Sequence, residues 1–216
     1  GMGPVRTAMW HRRIASVIMA AHSDGKGLPV FELAMHLAEG HDTESGIDYC
    51  LKAAELSSAE YAFPEAIRFY NWSAELMERT GGDERYLATL RRLGGAQDVD
   101  GDFKAEIATC EKLLAFDGLG RDEQAEILMM MGASHKSLGD AAKARERLEK
   151  ALRATGIPGK IIGRKKHLYS IYRKMIRKSL SLSEMADVFG FRLIMNDVDS
   201  CYRVLGIVHQ LYKPMP

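Results

Sequence analysis

The chain has little of what a disulfide-bonded, fibrous or membrane-spanning protein needs. Its 216 residues include three cysteines, Cys50, Cys110 and Cys201. Odd in number and far apart, they build neither a disulfide framework nor a CxxC metal knuckle, and they fit a reducing cytoplasm. Long apolar runs are missing as well. Ile14 to Ala21, after His11-Arg12-Arg13, falls well short of the roughly 20 residues a membrane span requires. It faintly resembles the apolar core of a secretory leader, but it fits an amphipathic helix equally well. A surplus of charge is also lacking: 30 basic residues nearly cancel 29 acidic ones, to a net +1. That average excludes a bulk polyanion binder and an acidic tail.

The neutrality conceals a division. Residues 1–150 hold 18 basic and 25 acidic residues (net −7), whereas residues 151–216 hold 12 and 4 (net +8). Lys160 to Lys178 alone carries eight basic residues and no acidic one. Such a segment attracts phosphates by simple electrostatics. Its only aromatic platforms are Tyr169 and Tyr172, and it matches no recognised RNA-binding fold, which argues against a nucleic-acid partner.

Turn signals punctuate the first 150 residues at Asp24-Gly25-Lys26-Gly27, Glu39-Gly40-His41-Asp42, Phe63-Pro64, Gly81-Gly82-Asp83, Asp100-Gly101-Asp102, Gly118-Leu119-Gly120 and Leu138-Gly139-Asp140. Between them, apolar residues recur at three- and four-residue spacing. Leu128, Met131, His135 and Leu138 form one such row, and Ala144, Leu148, Ala151 and Leu152 another. These spacings predict about eight amphipathic helices. Leu93-Gly94 followed by Gly101-Asp102 recurs as Met131-Gly132 followed by Gly139-Asp140, each Gly-Asp pair opening a second helix. Small residues at Gly132 and Ala144 would let two helices approach closely, with Leu128 and Leu148 filling the space beside them. Over about residues 28–155 this pattern resembles tetratricopeptide-like arrays. That resemblance implies antiparallel helices binding an unidentified protein or peptide on a concave face. Among His11, His22, His36, His41 and His135, the closest pair is five residues apart, about 500° around a helix, which is not a metal spacing. The Met129-Met130-Met131 run and Trp72 read as packing.

The last 60 residues differ in kind. Gly163-Arg164-Lys165-Lys166-His167 reads as a basic loop entering a helix on which Ser170, Lys174, Arg177 and Lys178 can share one side. Phe189 to Ile194 alternates as the only convincing strand, with Asp187 at its start and Asn196-Asp197 as its exit turn. A helix capped by Asp197 or Asp199 follows, with apolar residues at 204, 205, 208, 211 and 212. Three such blocks, ending in Lys213-Pro214-Met215-Pro216, closely resemble the start of the synthetase domain of the RelA/SpoT alarmone family over about residues 152–216. Enzymes of that family move pyrophosphate from ATP to the 3′-hydroxyl of GDP or GTP.

The resemblance implies a nucleotide site. Arg164 would stack on adenine, Lys166 and Lys174 would neutralise the triphosphate, and His167 and Ser170 would line the cleft. Asp187 would hold Mg²⁺, with Arg192 and His209 near the site. The family's Gly-x-Phe-Lys-Asp-Tyr acceptor loop and catalytic glutamate do not occur before the chain stops at Pro216. The expectation is therefore a mainly α protein: a tetratricopeptide-like antiparallel array over residues 1–150, then an incomplete α/β segment over residues 151–216. It would be a cytoplasmic signalling protein without a membrane contact, binding ATP or GDP/GTP but not catalytic alone, with self-association through an uncovered sheet edge. The alternative is a helical-repeat interaction module with no nucleotide chemistry.

Overall fold

The computed structural model describes residues 3–81, 84–165 and 189–211, and over these the chain is mainly helical. It divides into two compact units, Gly1–Leu113 and Leu114–Pro216. The first holds α1 (Pro4–Ala21), α2 (Val30–Glu39), α3 (Ser45–Ala59), α4 (Phe63–Arg79), α5 (Glu84–Asp100) and α6 (Phe103–Leu114). The second holds α7 (Arg121–Ser137), α8 (Ala141–Ala154), strands β1 (Gly159–Lys165) and β2 (Phe189–Met195), and α9 (Val198–Leu211). Among the described residues eight helices thus occupy the stretch up to residue 154, as the turn spacing leads one to expect. The pair α7–α8, which reads as the last of the array, clusters with the carboxy-terminal elements.

The inter-helix turns use one device repeatedly. Gly101 and Gly139 stand at φ +83° and +78°, a left-handed conformation that glycine adopts without penalty. The next residue then caps the following helix: Asp102 Oδ1 accepts from Ala105 N at 3.1 Å, and Asp140 Oδ1 from Lys143 N at 3.1 Å. In the same two turns the amide of Asp102 donates to Gln97 O and that of Asp140 to His135 O, 3.0 and 2.8 Å. The Gly-Asp repeat of the sequence is therefore a repeat of hydrogen bonds.

In the first unit many of the buried positions are small. Ala34, Cys50, Ala53, Ala54 and Ala66 are fully buried, as are the larger Phe69, Leu33 and Leu37. Burying each large apolar side chain stabilises the fold by about 1.5–3 kcal/mol. Cys50 donates weakly to Ala34 O at 3.6 Å, and burial pushes its thiol up to about 12. Ion pairs join helices two apart in the chain. Arg85 of α5 meets Asp48 of α3 at 2.5 Å and Arg92 meets Glu55, both across 37 residues. Lys112 of α6 meets Glu78 of α4 at 2.7 Å across 34 residues.

In the second unit Ala125, Leu128, Met129 and Ala151 form a core against which Leu148, Ile207 and Val208 pack. Leu138, expected on the apolar row of α7, is 43% exposed, because α7 ends at Ser137 and the chain turns away there. A second correction concerns the sheet. Gly163, Arg164 and Lys165, read as part of a basic loop, belong to the strand Gly159–Lys165, and β1 pairs antiparallel with β2.

Candidate functional site

The register pairs Ile161 with Leu193, Ile162 with Arg192, Gly163 with Phe191 and Arg164 with Gly190. Side chains alternate along a strand, so this pairing sorts the two strands into two faces. Ile161, Phe191, Leu193 and Met195 lie on one face and pack with Leu152, Ile157, Val204, Ile207 and Val208. That apolar face seats the strand pair on α8 and α9. Positions 160, 162, 164, 192 and 194 fall on the other face. There Ile162 and Ile194 are 39% and 45% exposed and Arg192 is exposed. Three cationic positions, Lys160, Arg164 and Arg192, therefore share one side of a two-stranded sheet. Positions 164 and 192 are diagonal neighbours, with backbones about 7–8 Å apart.

α9 starts on a strong cap. The Ser200 amide donates to Asp197 Oδ1 at 2.7 Å and the Ser200 hydroxyl to Asp197 Oδ2 at 2.8 Å. These bonds hold the Asp197 carboxyl below its ordinary range, with Arg203 adding to the effect. The inner face of α9 runs through Val204, Ile207 and Val208, while Leu205, expected inside, is 45% exposed. Val198 and Tyr202 are exposed as well. His209 is exposed on α9.

Lys166, His167, Ser170, Lys174 and Asp187 lie outside the described residues. Among the described residues no group of three or more His, Cys, Asp or Glu could hold a metal ion, and no helix is long and apolar enough to cross a membrane. A cavity of about 530 Å³ adjoins the start of β1, lined by Arg145, Glu149, Arg153, Pro158 and Lys160 among others. Arg145 pairs with Glu149 at 2.8 Å. The only sequence signal for this cavity is its cationic residues, which merge with the general basic excess.

Residues 163–216 match the family model described as the region found in RelA / SpoT proteins. The chain is 52% identical over 69 residues to the bifunctional (p)ppGpp synthase/hydrolase SpoT of Escherichia coli (strain K12), which is 32% of this chain and 10% of that protein. It is 39% identical over 104 residues to a probable chloroplastic GTP diphosphokinase, RSH3, of Arabidopsis thaliana, 48% of this chain and 14% of that protein. The chain thus spans about a tenth of the length of the curated relatives it matches. Among solved structures it is similar to BtubC (BKLC) from P. vanneervenii at 17% identity and a TM-score of 0.47, over 72% of this chain and 66% of that one, a likeness too loose to define the fold. Residues 163–216 are thereby a RelA/SpoT-type segment.

Proposed function

We propose that the carboxy-terminal segment holds the ATP side of a RelA/SpoT-type pyrophosphate-transfer site, in a cytoplasmic signalling protein of (p)ppGpp metabolism and the stringent response. The observation that carries this reading is the register of the strand pair, which gives Arg164 and Arg192 diagonal positions on one face. A planar guanidinium can lie on a purine face while its charge meets the phosphates, and two such residues at neighbouring register positions can serve one nucleotide. Lys160 on the same face adds charge for the phosphates.

Lys166, Lys174, His167 and Ser170 complete the proposed nucleotide cleft, with His209 at its margin. Asp187 is the proposed Mg²⁺ ligand. One carboxylate together with substrate phosphates and waters is the donor set Mg²⁺ commonly takes. When bound, the ion would neutralise charge on the phosphates, while the arginines orient the base. The 216 residues contain no Phe-Lys-Asp-Tyr acceptor loop. Transfer depends on positioning both substrates, so this chain is proposed to bind ATP or GDP/GTP without transferring pyrophosphate by itself.

The helical part is proposed to be a tetratricopeptide-like array that binds a protein or peptide. Ion pairs that recur across 37, 37 and 34 residues support this, since equivalent positions of successive repeats contact one another in such arrays. If the nucleotide reading fails, the interaction-module reading stands by itself on that ladder.

Photolabelling with 8-azido-ATP and Mg²⁺ tests the site. Label is expected on peptides spanning β1 or β2 and should be competed by ATP. Label scattered over the helices, or indifferent to ATP, would remove the proposal. Incubating the chain with labelled ATP and GDP should yield no pyrophosphorylated guanosine product, and a clear product would show that transfer needs less than is argued.

A further inference from the structure

The outward side of α1 is unlike the other surface of the first unit. Val5, Met9, Trp10, Ile14 and Val17 are 39–76% exposed, and only Ala15 of this helix is fully buried. Trp10, Ile14 and Val17 are spaced i, i+4, i+7, the anchor pattern of a helix that meets a second helix. Val5 and Met9 form a parallel row, bordered by a notch of about 270 Å³ lined by Val5, Met9, Arg12 and His41. Between the two rows stand Arg6 and Arg13, about 180° and 160° around the helix from buried Ala15 at 100° per residue. α1 carries three arginines and no carboxylate, whereas residues 22–113 hold 9 basic and 18 acidic residues.

We propose that this face of α1 is a docking surface for an acidic amphipathic helix of a partner protein. The central position of Arg6 and Arg13 decides between occupants. In a helix lying flat on a bilayer they would point into the hydrocarbon, the costliest depth for a cation. In a symmetric contact between two copies they would oppose each other across the axis. A partner helix with an apolar seam and neighbouring Asp or Glu satisfies both the rows and the charges. Trp10, with the Arg13 guanidinium 5.9 Å from its ring centroid, is the largest anchor. This surface lies outside the proposed nucleotide site and does not depend on it.

The test is selection of displayed helical peptides, with seam and flanking positions randomised, against the full 216-residue chain. Enriched clones are then titrated against Val17→Glu and against Arg6→Glu/Arg13→Glu, whose helicity is checked by circular dichroism. The expected clones carry apolar residues at i, i+4, i+7 beside Asp or Glu and lose about tenfold in affinity for Val17→Glu. The double arginine variant should prefer Lys-flanked clones instead. Failure to enrich helical clones, or clones indifferent to both variants, would overturn the proposal. So would self-association, or co-sedimentation with phosphatidylglycerol vesicles, that Val17→Glu abolishes.

Discussion

Gly132 sits where α7 meets α8, and a Cβ there would stand 3.0 Å from Cγ of Leu148 and 3.4 Å from the carbonyl oxygen of Ala144. This close approach was legible because a glycine in a helical apolar row, one repeat after Gly94, has little other reason to be there. Gly132→Val should destabilise the chain by about 1–3 kcal/mol through overpacking, read as a lower urea midpoint. Thiol chemistry follows burial in the same way. Cys50 and Cys110 are buried, their thiols pushed up to about 12 chiefly by desolvation, while Cys201 is exposed. At pH 8 a thiol reagent should titrate one group quickly in the native protein and all three only in denaturant. Rapid reaction of all three would mean that the helices open readily.

At the level of elements, the helices were easier to read than the strands. A period of 3.6 residues sustained over a dozen positions, closed by Gly-Asp, leaves few alternatives. β1 offers seven residues with two adjacent isoleucines, two glycines and three cations, and no clean alternation. Only its pairing with β2 separates Ile161, 1% exposed, from Ile162, 39% exposed. Ile161→Ala should therefore cost about 2–5 kcal/mol, whereas Ile162→Ala should stay within about 0.5 kcal/mol. Equal effects in chemical denaturation would contradict the face assignment. Contacts between helices distant in sequence, such as Asp48 with Arg85, or His11 Nδ1 with His36 Nδ1 at 2.9 Å, leave no local spacing to detect.

For the molecule as a whole, near-neutral charge is the sum of an acidic helical part and a basic end, and the RelA/SpoT-type segment lies in the basic end. The RelA/SpoT-type segment was legible in the sequence, because Arg164, Arg192 and their neighbours form an ordered motif. Its geometry was not, since two arginines 28 positions apart share a face only once β1 is known to be a strand. Electrostatic attraction should make any nucleotide affinity fall as salt rises. The most direct measurement is calorimetric titration of the full chain with MgATP, repeated on Arg192→Ala and Arg164→Ala. The result expected is saturable binding that each substitution weakens by about tenfold or more, the loss of about 1.4 kcal/mol of stacking and charge. No binding at millimolar MgATP, or binding that neither substitution changes, would contradict a nucleotide site on this face.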